Sequence, residues 1–255
     1  MSENPKGTGF TPGAGIPGVT SPFSDEDAAD RLVDGRDIEF DEAYGKGVLL
    51  LADGGRYEGT LFGASVVAEG ELVFTTGMTG FQESLTDPSF AGQVLTFTWP
   101  LLGNYGVIPG ISESSKVWPR GVVCKQAIDI PDHRDSVGSL HDLLHSHGIP
   151  GIQGVDTRSI TRRVREYGTL LCVFGPIDQE EALSARLAKA TSPDLEDLVD
   201  LVSRDDDVIL NPGATDTTGA SLPRLIAIDC GVKFNILREL CRRFEVVWVP
   251  AKSDF

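Results

Sequence analysis

The sequence predicts an α/β chain with two unequal parts. Residues 47–205 alternate short runs rich in β-branched and aromatic residues with turns that contain glycine, proline and aspartate, which is typical of a mainly β domain. Near the end of the chain, the apolar run Leu225–Asp229 precedes a helical pattern over Phe234–Arg243 and a second apolar run over Phe244–Val249. A strand, a helix and a strand in this order predict the start of a parallel α/β sheet, which binds ligands at the carboxyl ends of its strands.

The first predicted element is a β-hairpin. Its strands, Gly47–Ala52 and Arg56–Phe62, flank the turn sequence Asp53-Gly54-Gly55. Five further strand candidates follow along the chain: Glu71–Thr75, Gln93–Trp99, Gly121–Ala127, Ile149–Val155 and Thr169–Phe174. Three helical patterns complete this part: Ser139–His147, Ser159–Tyr167 and Gln179–Ala190. Of these, Ser159–Tyr167 is preceded by a capping sequence that begins at Asp156, and it ends at Gly168.

Composition divides the chain into four segments. We expect a disordered acidic extension over residues 1–46, a folded domain over 47–205, a turn-rich linker over 206–221 and the beginning of a second domain over 222–255. The last segment holds one strand-helix-strand unit. A unit of this size is expected to expose both faces of its strands and to be unstable alone.

The charge of the chain excludes some classes of partner. With 22 Lys and Arg against 38 Asp and Glu, the formal net charge is −16, which argues against nucleic acid or an anionic membrane surface. Acidic residues concentrate in Asp25–Glu42 and Asp194–Asp207. This excess is typical of a solvated surface, and also of a protein that stays soluble in concentrated salt; both interpretations remain open.

The cysteine pattern and the hydropathy favour a cytoplasmic protein. Cys124, Cys172, Cys230 and Cys241 show no CxxC spacing, which is typical of reduced thiols in the cytosol. No stretch of eighteen apolar residues occurs, and the first residues lack the basic and apolar regions of a signal peptide.

The segment Thr75–Gly106 carries the strongest functional signal. Gly77, Gly80 and Gly92 supply positions without a Cβ atom, and Asp87-Pro88 begins a turn before the strand at Gln93. A loop bounded by glycines over Gly77–Gly92 can bring backbone N–H groups close to a ligand. A tight turn that leads into a core strand explains most of the same residues and is favoured over a binding role.

Four stretches together resemble the small, glutamine-handling subunit of carbamoyl phosphate synthetase: Leu49–Phe62, Thr75–Gly106, Gly154–Gly168 and Ile226–Arg238. The resemblance implies an N-terminal β/β/α domain, followed by the first βαβ unit of a class I glutamine amidotransferase domain with a flavodoxin-like parallel sheet. It also implies that the chain ends soon after that second domain begins.

The function implied by the resemblance is the hydrolysis of glutamine to glutamate and ammonia. The large subunit would then use this ammonia to make carbamoyl phosphate for arginine and pyrimidine biosynthesis. The implied partners are the large subunit, in a cytoplasmic heterodimer, and L-glutamine. ATP and a divalent metal are expected in the large subunit and no cofactor in this chain, which has no nucleotide-binding glycine loop. The residue at the position of Gly77 contacts the substrate glutamine in the family, and a glycine can offer only its backbone.

No residue of this chain is predicted to be catalytic. Glutamine hydrolysis needs a cysteine on a strand-to-helix turn with flanking glycines, and a histidine downstream. Cys124 and Cys172 lie in strand patterns, Cys241 lies in a helix, and Cys230 lacks the preceding glycine. All four histidines precede Cys172. The chain is therefore expected to be inactive alone.

Two further clusters permit a functional interpretation. His141 and His145 have the spacing of two metal ligands on a helix, but no third ligand is evident and a solvent-facing helix edge is favoured, so no metal site is predicted. Basic residues concentrate at Arg158, Arg162, Arg163 and Arg165 beside Asp156. This cluster is interpreted equally well as a solvated helix face and as a patch for an acidic partner.

Two other functions are considered. One is a partner-binding module without catalytic activity, although such a module would have no use for the segment DCGVKFNILR that begins at Asp229. The other is an amidotransferase subunit of a different synthase, which Thr75–Gly106 disfavours because other amidotransferases lack this N-terminal domain.

Overall fold

A computed structural model describes residues 45–253, and the predicted extension over residues 1–46 lies outside them except for its last two residues. The described residues form twelve strands: β1 Lys46–Leu51, β2 Arg56–Gly63, β3 Ala68–Thr75, β4 Gln93–Phe97, β5 Leu101–Leu102, β6 Gly121–Val123, β7 Gln126–Ala127, β8 Pro150–Gln153, β9 Leu171–Pro176, β10 Val208–Leu210, β11 Arg224–Asp229 and β12 Glu245–Pro250. They also form six α-helices: α1 Phe81–Leu85, α2 Leu140–Ser146, α3 Thr157–Tyr167, α4 Glu180–Leu187, α5 Leu198–Val202 and α6 Phe234–Cys241. Short 3₁₀ turns occur at Pro88–Phe90, Ile177–Gln179 and Pro193–Leu195. The α/β class is thus confirmed.

Seven strands close into a barrel in the order β1-β2-β8-β6-β4-β3-β9. The predicted hairpin is confirmed, since β1 and β2 pair antiparallel through a turn in which Gly54 has a φ of 86°. The strands β3, β4, β6 and β8 pair in parallel with one another, and β9 closes the barrel antiparallel to β1 and β3. Closure leaves these seven strands without a free edge.

Alternation along the strands places every second residue inside the barrel. On β1, Leu49 and Leu51 belong to one buried cluster with Leu72 and Ile152, whereas Val48 belongs to another that packs outside. Helix α3 adds two buried apolar residues to the internal cluster, Ile160 and Val164. A third cluster joins the outer faces of β4 and β6 to the leucines of α2.

Four predicted elements are corrected by the structure. The predicted strand Gly121–Ala127 is two short strands, because β6 pairs with β4 and β8 in the barrel whereas β7 pairs with β5 in a separate ladder. Helix α3 begins at Thr157 rather than Ser159, since Asp156 caps it by accepting the Ser159 N–H at 2.9 Å. The predicted loop Gly77–Gly92 contains helix α1. Strand β10 lies within the predicted linker, where it pairs with β12.

The strand-helix-strand unit near the end of the chain forms a small mixed sheet in the order β10-β12-β11. Strands β11 and β12 are parallel, as predicted. The expectation that both faces are exposed is wrong, because α6 packs Phe234 and Leu237 against Val246 and Trp248 on one face. The other face carries the half-exposed residues Ile209, Ile226 and Ile228.

None of the helices in residues 45–253 combines the length and apolar composition needed to cross a bilayer.

Candidate functional site

The loop between β3 and α1 contains Gly77, the predicted ligand contact. Its Cβ, if added, would lie 3.1 Å from the carbonyl oxygen of Thr79, so the loop is tight at this point. Three residues later, Gly80 adopts the left-handed conformation, with a φ of 84°, that lets the chain enter α1. A glycine is therefore suited to both positions for reasons of backbone geometry.

Tyr105 holds the end of this loop. Its hydroxyl oxygen accepts the N–H groups of Gly80 at 2.8 Å and Phe81 at 2.9 Å, and its ring lies 4.7 Å from that of Phe81. Burial raises the pKa of Tyr105, and the charge of Glu83 raises it further, although the two backbone hydrogen bonds act in the opposite direction. The two N–H groups that could have bound a ligand are thus already used within the fold.

The surface around Gly77 is apolar and exposed. Met78 is 64% exposed and Trp99 and Leu101 are each 42% exposed, and all three line one small cavity with Gly77 and Tyr105. That cavity measures about 10 Å³, which is enough for roughly one water molecule. The loop can therefore form one wall of a binding site, but it does not enclose one.

Helix α1 is hydrogen-bonded to the segment that follows Val107. The side chain of Gln82 is fully buried; its amide group donates to the Ile108 carbonyl and the Ser112 hydroxyl, both at 2.9 Å, and accepts the Ile108 N–H at 2.8 Å. One turn later, the Thr86 hydroxyl accepts the Glu113 N–H at 2.8 Å. The position of the Gly77 loop is thereby tied to residues 108–114.

None of the cysteines lies in a nucleophile's environment. Cys124 and Cys172 are fully buried, and burial raises the pKa of each thiol well above its usual value. Burial also raises the pKa of Cys241 in α6. Cys230 is exposed, in the turn between β11 and α6. Cys172 lies in β9, as predicted, whereas Cys124 lies just beyond β6.

The carboxyl end of β11 is organised by Asp229. Its carboxylate accepts the N–H groups of Gly231 at 3.1 Å, Val232 at 3.0 Å and Arg204 at 3.0 Å. These bonds shape the turn that contains Cys230. This is the end of a parallel strand at which ligands of α/β sheets bind.

The two histidines of α2 stack rather than frame a metal. Their ring centroids are 5.7 Å apart, and the Gly63 N–H donates to Nδ1 of His141 at 3.1 Å. The prediction of a solvent-facing edge is wrong for His141, which is 6% exposed. Burial lowers its pKa, the Asp142 charge raises it and His145 lowers it again. Within residues 45–253, no group of three or more His, Cys, Asp or Glu side chains is placed to hold a metal.

The basic cluster on α3 separates into two pairs. Arg163 donates to Asp53 in the β1–β2 turn at 2.5 Å, and Arg165 lies over the Phe74 ring at 5.3 Å. Burial raises the pKa of Asp53, but hydrogen bonds from the Gly55 N–H and from Arg163 outweigh it, so the pKa is lowered. Arg158 and Arg162 are exposed and form no ion pair within the described part of the chain.

These two arginines line a groove on the outer face of α3. Its volume is about 450 Å³, and its other walls include Asp156, Ser159 and Tyr167. Of the four arginines of the predicted patch, Arg163 is paired with Asp53 and Arg165 is exposed but lies over Phe74, so Arg158 and Arg162 remain as the two with neither contact among the described residues.

Comparison with known proteins gives one consistent family. Residues 49–174 match the family described as carbamoyl-phosphate synthase small chain, CPSase domain. The chain is similar to carbamoyl phosphate synthase small chains from Methanopyrus kandleri (42% identical over 203 residues, 78% of this chain and 54% of that protein) and Symbiobacterium thermophilum (41% over 211 residues, 80% and 56%). It is also similar to the pyrimidine-specific small chain of Halalkalibacterium halodurans, at 40% identity over 203 residues, 79% of this chain and 54% of that protein. The chain thus spans about half the length of these relatives.

Proposed function

Because the chain belongs, through residues 49–174, to the family of carbamoyl phosphate synthase small chains, we propose that it serves in the glutamine-dependent synthesis of carbamoyl phosphate. In this role the small subunit hydrolyses glutamine, and a large subunit joins the released ammonia to bicarbonate and phosphate in a ligase reaction that consumes ATP. The product serves arginine and pyrimidine biosynthesis, and the name of the Halalkalibacterium relative supports the pyrimidine branch. The observation that carries this proposal is the match over the barrel and α3.

The small sheet β10-β12-β11 and helix α6 together form what we call the second unit. This unit fits the start of the glutamine amidotransferase domain. Its parallel strands β11 and β12 are joined by α6, which packs on one face of the sheet, as the first βαβ unit of a flavodoxin-like domain requires. The proposal assigns residues 222–255 to that domain. ATP and its divalent metal belong to the large subunit in this division of labour.

Gly77 is proposed to contact the substrate glutamine through its backbone. Its loop is exposed and lies at the end of β3. Tyr105 holds the loop at Gly80 and Phe81, and the Gly77 N–H donates to the Thr75 hydroxyl at 3.4 Å, so the backbone at this point has a defined position. The tight approach of Thr79 supports a glycine here, although a serine at this position would require a shift of only a few tenths of an ångström.

The pair Arg158 and Arg162 is proposed to contribute to the contact with the large subunit. These two side chains form no ion pair with any residue in 45–253, and the chain as a whole has a net charge of −16. An acidic partner surface would therefore associate with them faster and in a preferred orientation. Arg163 binds Asp53 and Arg165 lies over the Phe74 ring, both within the domain. These two residues are therefore expected to contribute to the stability of the domain rather than to the contact with the large subunit.

The experiment that tests the proposal is binding of this chain to the purified large subunit, measured as a function of salt. We expect the double variant Arg158→Glu/Arg162→Glu to bind about tenfold or more weakly at low salt, with a smaller loss at high salt because the interaction is screened. A matched control is Arg134→Glu/Lys189→Glu, which makes the same change in net charge at exposed positions away from α3.

The outcomes separate the two parts of the proposal. Equal losses in both double variants would show that net charge and not the α3 surface matters. Absence of binding by the unmodified chain would contradict its role as part of a small subunit.

A further inference from the structure

Helix α6 has no N-cap of its own. Lys233 precedes it and makes no capping hydrogen bond with its side chain, although its carbonyl accepts the N–H groups of Ile236 and Leu237. Two N–H groups of the first turn therefore need acceptors from elsewhere, those of Phe234 and Asn235.

Glu113 of the barrel domain supplies both acceptors. Its carbonyl oxygen accepts the Phe234 N–H at 2.7 Å, and its carboxylate Oε2 accepts the Asn235 N–H at 2.9 Å. A carboxylate at this point also interacts favourably with the positive end of the helix dipole. One residue that is 122 positions away in the sequence thus performs the work of an N-cap.

Two further contacts fix the same helix to the barrel domain. At its start, Lys233 forms an ion pair with Asp87 at 2.6 Å. One turn further, the guanidinium of Arg238 donates to the carbonyl oxygens of Gly110 at 3.0 Å and Ser112 at 3.4 Å. The helix therefore contacts the barrel domain at its start and in its middle, with Glu113 at the start of its first turn.

Glu113 is also connected to the Gly77 loop. Its N–H is bound by Thr86 at the end of α1, and the preceding Ser112 is bound by Gln82 of the same helix. Helix α1 begins directly after Gly80. A continuous path of hydrogen bonds thus runs from the helix that follows the Gly77 loop to the helix that follows the Cys230 turn.

We propose that Glu113 is a positioning residue that fixes the second unit against the barrel, and thereby sets the distance between the Cys230 turn and the Gly77 loop. If Gly77 binds glutamine as proposed above, this distance is one dimension of the glutamine site. The positioning role itself concerns geometry alone and does not depend on that function.

Cys230 permits a direct measurement, because it is exposed whereas Cys124, Cys172 and Cys241 are buried. A spin label on Cys230 and a second label on an introduced Asp178→Cys, at an exposed position before α4, report the distance between the two units. In the unmodified background we expect one narrow distance distribution.

The test compares three substitutions in this labelled chain. Glu113→Ala removes the side-chain acceptor and should broaden the distribution and speed amide exchange in residues 234–238 by about 3- to 30-fold, as expected for the loss of a cap. Glu113→Gln keeps an oxygen acceptor for the Asn235 N–H and should restore most of the narrow distribution. Glu181→Gln, an exposed carboxylate on α4, serves as the control and should change neither measurement.

Three results would overturn the proposal: a distribution that stays narrow in Glu113→Ala, one that is already broad in the unmodified chain, or a Glu113→Gln variant as broad as the alanine variant. Exchange in β1 and β9 distinguishes loss of orientation from unfolding. We expect it to be unchanged in all variants, and faster exchange there would mean that Glu113 supports the barrel rather than the orientation.

Discussion

Glu83 lies in the first turn of α1, and its carboxylate Oε2 is buried without a hydrogen-bond partner among residues 45–253. Burial raises the pKa of Glu83, and the nearby charge of Glu113 raises it further, although a backbone hydrogen bond acts in the opposite direction. The folded protein therefore holds this proton more tightly than the unfolded chain does. Stability from this group is present below its ordinary pKa of 4.5 and is lost as the pH rises through the raised value.

We predict that Glu83→Gln raises the free energy of unfolding at pH 7 by up to about 1 kcal/mol, because an uncompensated buried charge is removed. The gain should shrink as the pH falls toward 4, where Glu83 itself becomes protonated. Urea unfolding at several pH values measures this, with Glu181→Gln as the exposed control. A gain that is the same at pH 4 and pH 7 would contradict the assignment of the raised pKa to Glu83.

The four cysteines lead to a prediction about activity. Cys124, Cys172 and Cys241 are buried, and the pKa of each thiol is raised. Cys230 is exposed, but it has no histidine downstream in the chain. We expect the 255-residue chain alone to release no glutamate from glutamine above background, and Cys230→Ser to leave that background unchanged. Glutamate release that disappears in Cys230→Ser would show that this cysteine is a nucleophile after all.

At the scale of elements, β11 and β12 have similar apolar sequences but different positions in the small sheet. Strand β12 lies between β10 and β11, whereas β11 has a neighbour on one side only within the described residues. An amide in a central strand exchanges only when a larger part of the sheet opens, whereas an amide in an edge strand exchanges after a smaller local opening.

We therefore predict that amide exchange divides the second unit. Residues Val246–Trp248 of β12 should exchange on the order of 100-fold more slowly than the outward-pointing amides of Leu225–Ile228 in β11. Hydrogen exchange followed by NMR at single residues measures both sets in one sample. Uniformly fast exchange across the unit would mean that α6 and β10 do not stabilise the sheet in solution.

At the scale of the whole molecule, the charge distribution affects stability. Residues 45–253, which the structure describes, carry 27 Asp and Glu against 19 Lys and Arg, a formal net charge of −8. Charges of the same sign repel one another in the folded protein, and salt screens this repulsion. The ion pairs on the surface, such as Arg56 with Glu180 and Arg186 with Glu69, are exposed and contribute little against it.

We predict that raising the NaCl concentration from 0.05 to 0.5 M increases the melting temperature by roughly 2–4 °C, the equivalent of about 1 kcal/mol for a chain of this size. An uncharged osmolyte at equal osmolality is the control for effects other than screening. A decrease with NaCl would mean that attractive pairs outweigh the repulsion. A further rise far above this range would favour adaptation to concentrated salt.

Much of the fold could be predicted because its signals are local. The apolar run of β1, the turn Asp53-Gly54-Gly55 and the helical period of α2 each reflect neighbours within a few residues, and all three predicted elements occur in the structure. The parallel pairing of β11 and β12 also followed from the order strand, helix, strand. The turn before α1 was predicted for the same reason, since Gly80 has the left-handed conformation that favours glycine and Gly77 lies in a tight part of the same turn.

The tertiary structure decided the properties that join distant residues. The sequence alone determined an α/β chain, its main elements and a family resemblance, but it contains no local sign that Tyr105 binds the N–H groups of Gly80 and Phe81. Nor does it show that Arg163 is paired with Asp53, 110 residues away, while Arg158 faces solvent. Closure of the barrel and capping of α6 by Glu113 likewise join residues that are far apart in the sequence. Hydrogen bonds and ion pairs act over about 3 Å in space, and only the folded path of the chain determines which residues come that close.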